Sequence, residues 1–150
     1  MYCNIKLEIN SKYAYIKGII DTGNFLREPI TKVPVIVVEK ESLANVIPEY
    51  ILDNLDKIIN GEDVELKEFA PKIRIIPFTS LGKENGILLG IKVDYIVIEQ
   101  EENIKINNVI VGIYNGHLSK NGKYKALIGL DLLEENKGGI ENEHIRNIKV

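Results

Sequence analysis

The sequence predicts a mainly β domain with short helices, closed into a small barrel. Three observations carry this. Apolar and polar residues alternate in several short runs, turn-forming residues separate those runs, and few stretches show helical spacing. At 150 residues the chain has the length of one domain, and residues 1–150 are read as such. A chain of this size buries about two-thirds of the surface that its unfolded form exposes, enough for a core without covalent staples.

The elements follow in order. Ile5, Leu7 and Ile9 alternate with Lys6 and Glu8, Asn10-Ser11-Lys12 forms a turn, and Tyr13 to Ile20 completes a hairpin. Asp21-Thr22-Gly23-Asn24 interrupts it, and Val33 to Val38 is a third apolar run. The period then changes. Leu43, Val46 and Ile47, followed by Ile51, Leu55, Ile58 and Ile59, suit one or two short helices broken near Pro48. Gly61 to Glu68 reads as an acidic surface loop. From Ile73 the pattern is β again. Asn85-Gly86 carries the residues of a type I′ turn, whose two central positions need positive φ. Gly86 to Ile98 is the returning strand, with Asp94 exposed on it, and Ile104 to Ile106, Val109 to Tyr114 and Lys123 to Ile128 continue the sheet. Leu130 to Asn136 is a short helix, with Asp131 as N-cap and Glu134 at capping-box spacing; Lys137-Gly138-Gly139 stops it. Ile145 to Val150 has the alternation of an edge strand.

Composition narrows the function classes. The chain is 45% hydrophobic and 27% charged, as globular domains are, with a net charge of −3 that argues against a nucleic-acid partner. Cys3 stands alone, and His117 and His144 have no ligand-like spacing, so neither a disulfide nor a metal site is expected. No apolar run reaches the roughly 20 residues that cross a bilayer, and no signal-peptide core follows Met1, so the chain reads as soluble.

One segment carries chemistry. Asp21 directly follows the apolar Ile19-Ile20 and is followed by Thr22 and Gly23, an unusual way to end a strand. Read blandly, Asp21 and Thr22 cap a turn and Gly23 supplies a positive φ. Further along, Leu127-Ile128-Gly129 ends a second strand and runs into a helix. Together, Asp21-Thr22-Gly23, the hairpin around Asn85-Gly86 and Leu127-Ile128-Gly129 resemble the retropepsin-like aspartic proteases. A narrower likeness is carried by Asp21-Thr-Gly-Asn24-x-Leu26-x-x-Pro29-x-Thr31-x-x-Pro34-Val35 and Ile76-Pro77-Phe78-x-Ser80-x-Gly82-Lys83-Glu84-x-Gly86. These strings resemble the sporulation sigma-E factor-processing peptidases.

That resemblance implies a retropepsin-like closed barrel with a flap hairpin. It also implies a cofactor-free aspartic endopeptidase that removes the propeptide of a sigma-factor precursor. Asp21 would be catalytic, with Thr22, Gly23 and Asn24 supporting its loop, Leu127, Ile128 and Gly129 forming the second loop, and Ser80, Gly82, Lys83, Glu84, Asn85 and Gly86 lying on the flap. One Asp-Thr-Gly per chain implies a homodimer, because two neighbouring carboxylates must share a proton to act as base and acid. The family's membrane-spanning region has no counterpart here, so the expectation is an excised domain from the cytoplasmic face of the membrane, whose activating signalling protein would work through the missing region. Asn24 departs from the small residue that retropepsins carry there.

Other residues have plainer readings. Asp131 is explained by capping and Asp94 by exposure. His117 is a turn residue and His144 a solvated one, while Tyr13, Tyr15 and Phe78 pack a core. Lys83-Glu84 suits either substrate contact or a charged hairpin tip. Two rival functions remain open: a non-catalytic module that binds an extended peptide in the same barrel, and a dimerisation domain in which Asp-Thr-Gly is only a turn.

Overall fold

In the computed structural model, residues 1–23, 26–80 and 84–136 are described, with Ser80, Glu84 and Asn85 described by their backbone alone. Nine strands form one sheet: β1 Tyr2–Ile9, β2 Lys12–Asp21, β3 Val35–Glu39, β4 Ile73–Ser80, β5 Glu84–Lys92, β6 Tyr95–Glu99, β7 Ile104–Ile106, β8 Ile110–Tyr114 and β9 Ala126–Gly129. Their order is β4-β5-β8-β3-β9-β2-β1-β6-β7, a curled half-barrel. The expected mainly β class with a few short helices is the one found, and it is consistent with a retropepsin-like fold. Its curl is that of a half-barrel, since the strand order leaves β4 and β7 as separate ends among the described residues.

The first hairpin forms as the alternation predicts. Ile9 pairs with Lys12, leaving Asn10 and Ser11 as a two-residue turn with φ of 50° and 65°, the backbone that matches the strands' own twist. The helical stretch is also where its spacing puts it. A 3-10 turn covers Lys40–Leu43, α1 spans Glu49–Leu52 and α2 spans Leu55–Ile59. Pro48 precedes α1, where its missing N–H leaves no bond unmade. A second 3-10 turn, Lys67–Lys72, follows the acidic loop.

β3 explains how one sheet makes two cores. All five of its residues are buried. Ile36 and Val38 face a large cluster with Ile5, Leu7, Leu89, Ile98 and the short helices, while Val35 and Val37 face a second one with Ile76, Leu88 and Ile110. Alternation along a strand covered on both sides reads as a continuous apolar run. β9 threads between β2 and β3, parallel to the first and antiparallel to the second.

Three readings are corrected. The turn of the second hairpin is not at Asn85-Gly86. Both residues lie in β5, where Thr79 pairs with Asn85 and Phe78 with Gly86, so the chain reverses between Ser80 and Glu84. A Cβ on Gly86 would stand 2.4 Å from the Phe78 ring, so glycine is there to accept the aromatic ring from across the ladder. The run from Gly86 to Ile98 is two strands, not one. Asp94 marks the corner, its amide donating to Glu8 O and its carboxylate accepting from Asn10 N at 2.7 Å. The last helix, α3 (residues 130–136), begins before Asp131, which is therefore inside the first turn and does not cap it. The tail readings, Lys137-Gly138-Gly139, His144 and the strand from residue 145, fall outside the described residues.

Ile36 sits at the centre of the sheet and is fully buried. Ile36→Ala should cost about 2–5 kcal/mol of stability, read as a lowered midpoint in urea with an unchanged slope; a loss under 1 kcal/mol would contradict a core organised around β3.

Candidate active site

β9 fixes the position of Asp21. In the parallel ladder Gly18 pairs with Ala126 and Asp21 with Gly129, so the end of β2 and the start of α3 stand side by side. The half-buried Asp21 carboxylate accepts the Gly23 amide through Oδ1 at 2.9 Å. This is an Asx turn, the local bond that lets an aspartate bend its own backbone. Among the described residues Oδ2 has no hydrogen-bond partner. Thr22 and Gly23 are exposed. The bland expectation of a left-handed Gly23 is not met, because its φ lies outside that range. A Cβ there would have as its nearest described atom, beyond the neighbouring residues, only Asp21 Oδ1 at 3.5 Å.

Gly23 opens onto a cleft of about 390 Å³, lined also by Leu26, Val37, Phe78, Thr79, Leu88, Tyr114, Leu118 and Leu127. Most of these side chains belong to the second core. The cleft is thus that core's unfilled mouth, bounded by the Asp-Thr-Gly loop on one side and the β4–β5 hairpin on another. Its walls are apolar, with Tyr114 and Thr79 as polar exceptions. Such a lining suits an apolar side chain of a ligand, with few groups to fix its orientation.

The segment after Asp21 is built as a buttress. Leu26 and Val35 are joined by a backbone bond and Arg27 bridges Pro34. The buried Glu28 carboxylate accepts the Thr31 hydroxyl and the amides of Thr31 and Ile30. Those bonds, the Thr31 hydroxyl foremost, hold its pKa below the ordinary carboxylate value. The Arg27 guanidinium reaches Asp131 Oδ2 at 2.9 Å and Glu135 Oε1 at 2.8 Å, one turn apart on α3. Asp131, and then Glu135, push the Arg27 pKa up. Asp131 is therefore occupied in tying this loop to α3.

The other expected site residues fall as follows. Leu127 lines the cleft, Ile128 is buried in the large core and Gly129 pairs with Asp21. Gly86 lies opposite Phe78 on the hairpin; Ser80, Glu84 and Asn85 hold strand positions on it. Asn24, Gly82 and Lys83 lie outside the described residues. Phe78, expected as a core residue, packs against the second core and also walls the cleft, whereas Tyr13 and Tyr15, given the same reading, are exposed. Sequence reasoning missed Leu26, Val37, Thr79, Leu88, Tyr114 and Leu118. For Val37 and Leu88 the available signal was alternation, which sets them opposite Ile36 and Leu89 along their strands. Cys3 is buried, and burial pushes its thiol up to about 11, so it is unreactive near neutrality. Among the described residues no cluster of three His, Cys, Asp or Glu side chains could hold a metal, and no helix is long and apolar enough to cross a membrane.

A curled β sheet with a strand-end carboxylate beside an apolar cleft is consistent with a β fold of retropepsin-like class. Residues 1–132 match the peptidase family U4, described as sporulation factor SpoIIGA, and the chain belongs to that family. It is 32% identical over 129 residues to the sporulation sigma-E factor-processing peptidase of Priestia megaterium, and 30% identical over 130 residues to that of Bacillus subtilis. Each alignment covers 83% of this chain and 42% of the relative, so the chain spans well under half of either. A Bacillus thuringiensis relative is 29% identical over 136 residues, covering 89% of this chain and 84% of its own length. No solved structure matches significantly.

Gly86→Ala should force the Phe78 ring off its seat, destabilising the hairpin by about 1–3 kcal/mol. Pairing it with Phe78→Ala should recover part of that loss in thermal unfolding; strict additivity would separate the two residues. The Glu28 bonds predict a pH signature. A carboxylate with a lowered folded pKa adds stability above its ordinary value of 4.5, and that stability is lost as pH falls through the lowered one. The stability gap between the unmodified chain and Thr31→Val should therefore shrink as pH drops below about 4.5, which denaturation across pH 3 to 7 would reveal.

Proposed function

We propose that this domain is an aspartic endopeptidase that removes the propeptide of a sporulation sigma-factor precursor. The observation that carries the reading is the Asp21 carboxylate, one hydrogen bond from the Gly23 wall of an apolar cleft, in a chain of a peptidase family. Hydrolysis needs a base for water and an acid for the carbonyl oxygen. Asp21 supplies one carboxylate. Asp131, the nearest rival along the chain's second loop, is engaged by Arg27. The second carboxylate is then Asp21 of a twofold partner, the pair sharing one proton because two charges about 3 Å apart cannot both ionise.

Gly23 supports that arrangement. Neither a left-handed backbone nor crowding within the described chain calls for glycine there, and a bare backbone suits close approach by a second loop. Thr22, exposed beside it, is available for a bond across the seam. The substrate lies extended between the loop and the β4–β5 hairpin, placing an apolar side chain in the cleft. The hairpin acts as the flap, with its residues from Ser80 to Gly86 over the substrate. No cofactor takes part. A membrane-spanning region of the kind the resemblance implies would hold this domain at the cytoplasmic face and give an activating signalling protein its point of action. There it would also raise the effective concentration of two domains.

Asp21→Asn should lower cleavage of a sigma-factor precursor by a factor of roughly 10²–10⁴ while leaving the fold and peptide binding intact. Rate should rise roughly fourfold for each doubling of protein below the dimer dissociation constant. Mass analysis of products against protein concentration, with sedimentation in parallel, checks both. A folded variant that still cleaves would remove Asp21 from the chemistry, whereas an unmodified protein that binds the precursor without cutting it would leave the non-catalytic peptide-binding reading standing.

A further inference from the structure

The cleft wall contributed by Leu118 is held from below by a buried charge. Glu39, the last residue of β3, is only 2% exposed. Its Oε2 accepts the Leu118 amide at 2.8 Å, and its Oε1 lies 3.5 Å from His117 Nδ1 on an imidazole that is itself 74% exposed. Its backbone joins in: the Glu39 amide donates to Lys125 O at 2.9 Å, and Glu39 pairs with Tyr114 in the β3–β8 ladder. One residue thus grips both ends of the 115–125 loop. Inside the loop, Ser119 Oγ accepts the Tyr124 amide at 3.4 Å and donates to Tyr124 O at 3.3 Å, pinning its two limbs together.

A buried carboxylate with one amide donor and one exposed imidazole is a costly way to fill space, and an apolar residue of similar size would do so more cheaply. What an apolar residue would not supply is a partner for the Leu118 amide. Leu118 and Tyr114, at the two sides of this grip, are both cleft-lining residues.

We propose that Glu39 is a positioning residue: by fixing the 115–125 loop it sets where Leu118 stands in the cleft wall, and so which side chain the cleft prefers. The inference rests on the cleft being the peptide-binding cleft of the reading above. Losing the carboxylate would leave the Leu118 amide to seek water, and the loop would move outward to find it.

The test compares the unmodified chain with Glu39→Leu, Glu39→Gln and Leu118→Ala. Glu39→Leu should speed amide hydrogen exchange at Leu118 at least tenfold, while Glu39→Gln, whose carbonyl still accepts that amide, should leave it within about threefold. A pool of decapeptides differing only in a central Ala, Val, Leu or Phe then reads preference by mass spectrometry. Glu39→Leu should shift that preference at least threefold, chiefly through KM, in the direction that Leu118→Ala does, and Glu39→Gln should restore it. Unchanged exchange in Glu39→Leu overturns the inference, as does faster exchange with an unaltered preference. A Leu118 amide that exchanges in the unmodified protein as fast as in an unstructured chain overturns it without any variant. If not even the unmodified protein cuts the pool, the peptidase reading fails, and the exchange rates alone decide whether Glu39 positions Leu118.

Discussion

The four-residue strand β9 is the constraint on which the rest depends. It pairs parallel with β2 and antiparallel with β3, so it joins the half of the sheet built on the first hairpin to the half that carries the β4–β5 hairpin. Without it, β2 would be held at its end by β1 alone, through the pairing of Tyr2 with Ile19 and the Ile20 amide on Met1 O, and Asp21 would be the last residue of a fraying strand. With it, Asp21 faces Gly129, the helix that follows starts at once, and Arg27 can reach that helix. Parallel pairs need a long connection before they can form. The contacts that set the site are thus among the most distant in sequence, with Gly18 held to Ala126.

The cleft follows from the way β3 divides its side chains. A strand buried on both faces needs cover on both. The large core obtains it from the short helices and from β1, β5 and β6, with partly buried residues such as Tyr50, Ile59 and Leu130 packed around it. The second cluster has fewer elements above it, and at its mouth Leu26, Phe78, Leu118 and Leu127 remain only partly covered. Close packing is the usual state of a protein interior. Here it stops short, and the gap is where a ligand's own apolar surface can complete the packing.

Much of this was legible in the sequence, and the failures have physical causes. The β1–β2 hairpin, the short helices around Pro48 and the strand-end position of Asp21 follow from period and turn chemistry, which are local. The second hairpin was misplaced because Asn-Gly is a strong turn signal only where no neighbour competes for the glycine. Phe78 does compete, and its ring occupies the space that makes Gly86 necessary. The break at Asp94 was invisible because its cause lies in the amide of Asn10, 84 residues away. Asp131 fitted a capping box by spacing, yet Arg27, 104 residues distant, takes its carboxylate. The cleft was hidden for the same reason: Leu26, Leu88 and Leu118 look like ordinary core residues until the strands are set side by side.

The open strand order has a consequence for how the molecule behaves among its copies. Among the described residues the sheet has two unpaired edges, and each is a row of backbone groups that another chain could extend. At one edge β7 offers only Ile104–Ile106, too short to template a lasting ladder. At the other, β4 places Pro77 midway along its eight residues, and proline has no N–H to give. Sheet-to-sheet accretion is thereby discouraged at both ends, a useful property for a protein that displays Ile75 and Ile87 to solvent on the strands next to that edge.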